Sequence, residues 1–159
     1  KVLDQSGTPI EGAKIELWQT ADNGLYSGQD PSQPEYNLRM FMITGADGRY
    51  AVSTIRPTPY MVPTDGPVGD LLNATGRHAW RPSHLHFIVQ AAGFRTLVTE
   101  VFPDDDPYLD EDAVFGVRSD LIMEYRPGNA ADLASDLAAQ GRLSSDFSKV
   151  DFDFVLPPE

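Results

Sequence analysis

The segment that most restricts the fold is Arg81-Pro82-Ser83-His84-Leu85-His86-Phe87-Ile88-Val89. After Pro82, Leu85, Phe87 and Val89 place an apolar side chain at every second position, the period of a strand with one buried face. His84 and His86 then project together from the opposite face, with Arg81 just ahead of them. A His-x-His pair on a strand is equally at home as hydrogen-bonded filling or as half of a metal site. What the rest of the chain adds decides between them.

Several other runs share the strand period. Residues 14–19 alternate well, residues 95–102 carry Leu97, Val98, Val101 and Phe102, and Val150, Phe152, Phe154 and Leu156 make a final strand. Val2 and Leu3 end a short strand, and Leu121, Ile122 and Met123 make another. Residues 39–44 and 49–55 read as a hairpin closed at Gly45-Ala46-Asp47-Gly48. A short helix is expected from Pro67 to residue 73, with proline in its first turn, and a second over residues 130–140. Many short strands separated by turn chemistry predict an all-β chain: an antiparallel β-sandwich with long loops and one or two short helices, one domain over residues 1–159.

Two loops stand out. Residues 21–35 are polar, aperiodic and punctuated by Gly24, Gly28, Pro31 and Pro34; a loop of that length in a compact domain is often functional. It contains Tyr26. Pro57, Pro59 and Pro63 frame Tyr60 in a stiff, extended segment.

Composition removes whole classes of function. A net charge of −12 opposes binding to a phosphate backbone, which excludes nucleic acid as partner. No apolar run approaches the length of a membrane span. With no cysteine, thiolate catalysis, disulfides and cysteine-held metals are excluded, so a metal must be held by His, Tyr, Asp or Glu. The acidic clusters Asp104-Asp105-Asp106 and Asp110-Glu111-Asp112 read most simply as a solvated loop. His78 could serve a zinc hydrolase, although nothing near it in sequence supplies a general base. Phenolate, by contrast, is a hard anionic donor suited to ferric iron, and imidazole accepts several metals.

The chain resembles the intradiol ring-cleavage dioxygenases. The resemblance is carried by Gly12-Ala13-Lys14-Ile15-Glu16-Leu17-Trp18-Gln19, Gly24-Leu25-Tyr26-Ser27-Gly28, Asp47-Gly48-Arg49-Tyr50 and Pro57-Thr58-Pro59-Tyr60-Met61-Val62-Pro63. It continues through Gly76-Arg77-His78-Ala79-Trp80-Arg81-Pro82-Ser83-His84-Leu85-His86-Phe87, Asp106-Pro107-Tyr108-Leu109 and Asp112-Ala113-Val114-Phe115-Gly116-Val117. Within the family it is most similar to the hydroxyquinol-cleaving group, with the catechol- and chlorocatechol-cleaving groups sharing nearly the same motifs. The resemblance implies Fe(III) held by Tyr26, Tyr60, His84 and His86, and a small aromatic diol and dioxygen as substrates. It further implies that Tyr60 is displaced by the diol and takes a proton from it, that Arg81 faces the ring, and that Val62 and Pro63 line the pocket. Glu100 stands where catechol-cleaving relatives usually have Gln and hydroxyquinol-type relatives often have His; a carboxylate there adds negative charge beside the metal.

The family's helical N-terminal region, which forms its dimer interface, has no counterpart in these residues. Lys1 begins in mid-pattern, so the expectation is the catalytic half of a longer protein, homodimeric where that region is present, and cytoplasmic. A metal-free, transthyretin-like binding module is the reading from another class: residues 7–17 alone would serve it.

Overall fold

The computed structural model describes residues 1–128 and 147–159. In chain order its elements are β1 (Val2–Asp4), β2 (Lys14–Trp18), β3 (Arg39–Ile43), β4 (Tyr60–Met61), α1 (Pro67–Ala74), β5 (Trp80–Arg81) and β6 (Leu85–Gln90). They continue with β7 (Leu97–Pro103), β8 (Ile122–Met123), β9 (Arg126–Pro127), β10 (Ser148–Lys149) and β11 (Phe154–Leu156). The all-β expectation holds: strands dominate, with α1 the one α-helix among the described residues. The helix expected over 130–140 lies outside them.

β6 is the middle strand of a five-stranded sheet ordered β3-β2-β6-β7-β8. Its alternation does what the sequence requires. Leu85, Phe87 and Val89 are buried on one face, joined by Ile15 and Leu17 of β2 and Val101 of β7. Val2, Phe154 and Leu156 from the β1–β11 pair complete the same cluster. Each fully buried side chain of this kind contributes roughly 1.5–3 kcal/mol. The register then fixes the other face. Arg39 pairs with Trp18, Trp18 with His86 and His86 with Glu100, so these four form one row across four strands, pointing away from the core. A one-residue slip would send His86 into the core, and the buried face forbids it.

Two expectations are corrected. The strand pairing is not wholly antiparallel: β1 pairs parallel with β11 in a two-stranded sheet of their own, and β7 pairs parallel with β8 at the edge of the five-stranded one. Parallel neighbours need long connections; here almost the whole chain separates β1 from β11, and the loop of residues 104–121 separates β7 from β8. Residues 49–55 form no strand. The turn at Gly48 closes as expected, its amide donating to the Gly45 carbonyl at 2.9 Å, but Gly48 then accepts from Val2 rather than returning along β3. Side chains hold the segment in place of a ladder. The Tyr50 hydroxyl donates to the Phe152 carbonyl at 2.7 Å, the Thr54 hydroxyl to Gln19 Oε1 at 2.9 Å, and Gln19 Nε2 to the Ile55 carbonyl at 3.0 Å.

The short helix forms as Pro67–Ala74, closed by Gly76 at φ +65, whose amide donates to the Asn73 carbonyl. Gly69 is buried in its interior, where glycine ordinarily costs about 1 kcal/mol against alanine. The reason is proximity: a Cβ at Gly69 would lie 2.0 Å from the Thr64 carbonyl oxygen. Gly69→Ala should therefore lower stability, by about 1–3 kcal/mol, against the usual sign for a helix. A thermal melt followed by circular dichroism checks it; a raised midpoint would show that the contact relaxes without cost.

Candidate metal centre

Four polar side chains meet on the outer face of the sheet, and each is brought there by a different local device. His86 is set by the β6 register and covered by Trp18, whose ring stacks on the imidazole with centroids 4.7 Å apart and planes within 4°. The Arg39 guanidinium lies 5.0 Å from the far partner of that stack, the Trp18 ring. His84, just ahead of β6, is buried, and its Nδ1–H donates to the Pro82 carbonyl at 2.7 Å. That bond fixes the tautomer and leaves Nε2 facing the other three groups. Tyr60 arrives on β4, which pairs with β5 so that Tyr60 sits opposite Arg81.

Tyr26 arrives on the long loop, which is ordered by its own polar groups. The Tyr26 amide donates to Gln29 Oε1, and Asp30 accepts from the Ser32 amide and hydroxyl and from Asn23. Gly24, at φ +77, lets the loop pass close to Tyr60: a Cβ there would lie 3.4 Å from Tyr60 Cβ.

The functional atoms converge. Tyr26 Oη is 3.2 Å from Tyr60 Oη and 2.7 Å from His86 Nε2, and His86 Nε2 is 3.1 Å from His84 Nε2. Burial and the neighbouring Tyr60 push the Tyr26 phenol up. Burial, then the His84 charge, push His86 down to about 4, and burial with the Arg81 charge lowers His84. Both imidazoles are therefore neutral near pH 7, the state in which they offer a lone pair to a metal. Two phenol oxygens and two imidazole nitrogens linked in one run of contacts, from Tyr60 through Tyr26 and His86 to His84, fit a metal ion. Among His, Asp and Glu side chains alone, His84, His86 and Glu100 also form a group whose potential ligand atoms lie within 4.8 Å of one another.

Arg81 closes one side of the cluster. It is buried, with Nε and Nη2 on Asp112 at 3.1 and 3.2 Å and Nη1 and Nη2 on Glu100 at 3.0 and 2.6 Å. Nη1 is also 3.2 Å from His84 Nε2. Burial opposes the charge on all three groups, but their mutual pairing outweighs it: Arg81 is raised, and Glu100 and Asp112 are both held below the ordinary carboxylate range. Glu100 faces the site, with Oε1 3.3 Å from His86 Nδ1.

The acidic loop is the part that sequence reasoning misjudged. Asp104, Asp105, Asp110 and Glu111 are exposed as expected, but Asp112 is buried on Arg81, and Asp106 accepts from the Ser83 amide and hydroxyl at 2.8 and 2.6 Å. Both thus brace the segment that carries His84. The available signal was Arg81 itself, since an arginine placed inside a fold needs a carboxylate partner. Trp18 as the cover of His86 was also missed, although the register of two strands implies it. His78 stands apart, 3.2 Å from Glu111 and accepting from the Trp80 amide. Val62 is half-buried just beyond β4, its amide donating to the Ala79 carbonyl, and Pro63 is exposed. A cleft of about 550 Å³ is lined by His86, Glu100 and Gly116 together with Val98, Arg118 and Leu121.

Gly116 leaves room for the ion cluster. A Cβ there would come within 2.8 Å of Arg81 Nη2 and 3.1 Å of Asp112 Oδ2. Gly116→Ala should displace the guanidinium and cost about 1–3 kcal/mol, read as a lower urea midpoint with an unchanged slope. An unaltered midpoint would mean that the cluster has slack.

A family model described as "Dioxygenase" matches residues 1–158. The chain is 48% identical to hydroxyquinol 1,2-dioxygenase of Rhizobium sp. (strain MTP-10005) over 157 residues, covering 98% of this chain and 52% of that protein. It is 43% identical to 6-chlorohydroxyquinol 1,2-dioxygenase of Cupriavidus pinatubonensis, covering 99% of this chain and 52% of that protein. Among solved structures, hydroxyquinol 1,2-dioxygenase from Pseudomonas putida DLL-E4 superposes with a TM-score of 0.89 at 49% identity, covering 100% of this chain and 55% of that one. The chain spans about half the length of the curated relatives it matches. It belongs to the intradiol ring-cleavage dioxygenases.

Proposed function

We propose that this chain forms the catalytic part of a non-haem Fe(III) dioxygenase that opens a catechol-type ring between its two hydroxyl-bearing carbons, with hydroxyquinol as the preferred diol. The observation that carries the proposal is the convergence of Tyr26, Tyr60, His84 and His86 beside Arg81. As phenolates, the two tyrosines would neutralise most of a ferric charge, and hard oxygen donors favour iron in that state over zinc or copper. Bound there, the iron would withdraw electron density from the diol ring and so prepare it for dioxygen.

The chain's own residues supply the rest. Tyr60, on the two-residue strand β4, takes a substrate hydroxyl proton at its Oη. Arg81, a permanent cation at the edge of the donor set, stabilises negative charge on the ring. Val62 and Pro63, two and three residues after Tyr60, contact the ring's substituents. We also read the β1–β11 pair and the five-stranded sheet as two layers of a β-sandwich, since both feed one buried cluster. Relatives named for hydroxyquinol support that substrate; relatives named for catechol and chlorocatechol make those the second choice. A metal-free binding module has no need to gather two phenols and two imidazoles at one point.

The test is incubation of the iron-loaded protein with hydroxyquinol, catechol and protocatechuate, following dioxygen uptake and ring-opened product. Consumption of equal amounts of dioxygen and diol supports the reading, and none with any diol sinks it. Tyr60→Phe should slow diol docking and turnover while retaining part of the iron; unchanged turnover would remove Tyr60 from the chemistry.

A further inference from the structure

We propose that Glu100 is a specificity-determining residue that selects the diol by charge, accepting a hydrogen bond from a third ring hydroxyl and turning away a ring that carries a carboxylate. The proposal rests on the dioxygenase reading above. Three observations carry it.

First, the position. Glu100 pairs across the sheet with His86, and its Oε1 is 3.3 Å from His86 Nδ1 and 3.9 Å from His84 Nε2. A diol held at the four-donor cluster is therefore within a ring's width of this carboxylate. Second, the surroundings. Glu100 lines the cleft of about 550 Å³ together with His86 and Gly116, and its side chain retains 24% exposure, whereas Asp112, the other carboxylate on Arg81, retains 2%. Of the two acids on Arg81, Glu100 is the one a ligand can meet. Third, the bonding capacity. A carboxylate has about four lone-pair sites, and the two bonds to Arg81 occupy one on each oxygen. The remaining sites can accept from a hydroxyl but have nothing to offer a second carboxylate.

Arg81 does not cancel this preference. Its guanidinium is shared between Glu100 and Asp112, so one positive charge faces two negative ones. A carboxylate entering the cleft would add a third, and like charges at short range inside a low-dielectric site are costly. A hydroxyl avoids that cost and gains a charge-assisted hydrogen bond.

The experiment compares the iron-loaded protein with Glu100→Gln and Glu100→Asp, measuring kcat/KM for hydroxyquinol, catechol and protocatechuate. Anaerobic binding of each diol is followed in parallel through the visible charge-transfer band. Glu100→Gln should reduce the preference for hydroxyquinol over catechol about tenfold or more, the scale of one hydrogen bond to a charged group. It should raise protocatechuate relative to catechol by a similar factor. Glu100→Asp keeps the charge and should still reject protocatechuate. A uniform fall for all three diols in Glu100→Gln, with their ratios unchanged, would overturn the proposal and leave Glu100 as a brace for Arg81. Turnover of no diol by the unmodified protein would instead overturn the dioxygenase reading on which the proposal stands.

Discussion

Arg81→Met should lower folding stability by about 3–5 kcal/mol and abolish turnover, because it strands Asp112 where water cannot reach and unpairs Glu100 at the edge of the cleft. Asp112 is the more costly of the pair, with its side chain 2% exposed and its remaining bonds going to the Val114 and Gly116 amides. The size of the effect comes from what is left behind rather than from the net worth of the ion pairs. Replacing the carboxylates as well, in Arg81→Met/Glu100→Gln/Asp112→Asn, should therefore recover much of the stability without restoring activity. Urea denaturation of the two variants separates the contributions. If the single variant were as stable as the parent, the cluster would not be buried in the way described. The geometry thus adds a structural role to an arginine that the sequence marks only as an active-site charge.

Tyr26→Phe should remove iron while leaving the fold intact. The ring stays in place against Tyr60 and His86, and only the oxygen shared between them is lost. Changes to groups that merely orient a metal ligand cost about 10–100-fold in affinity, so deletion of a ligand should exceed about a hundredfold. Dialysis against a chelator with metal analysis measures it, beside a thermal melt of the metal-free proteins. Iron retained as in the parent would exclude Tyr26 from the ligand set and point instead to His84, His86 and Glu100 as the holding group.

The parts of this structure that could be read from sequence are those in which one residue pattern has one physical solution. The alternation of residues 84–89 specifies a half-buried strand, and the register places both imidazoles on its outer face. Tyr26 and Tyr60 were visible as oddities, one in a long loop and one among prolines, and their meeting point 3.2 Å apart is a tertiary fact. Residues 49–55 show where pattern falls short. Tyr50, Val52 and Thr54 are each more buried than the residues between them, but alternation reports burial and not hydrogen-bonded partners. The same limit applies to Asp106 and Asp112, which look like their exposed neighbours until Ser83 and Arg81 are placed beside them. Parallel pairing of β1 with β11 depends on contacts between the two ends of the chain, which no local window contains.

If two phenols and two imidazoles form a ferric site, the visible spectrum of the purified protein carries its signature. Iron is expected in a one-to-one ratio with the chain, with a red to purple phenolate-to-iron charge-transfer band that is lost in Tyr26→Phe and shifted when hydroxyquinol is added without oxygen. A colourless protein that takes up no ferric iron, or that holds zinc in its place, would contradict it.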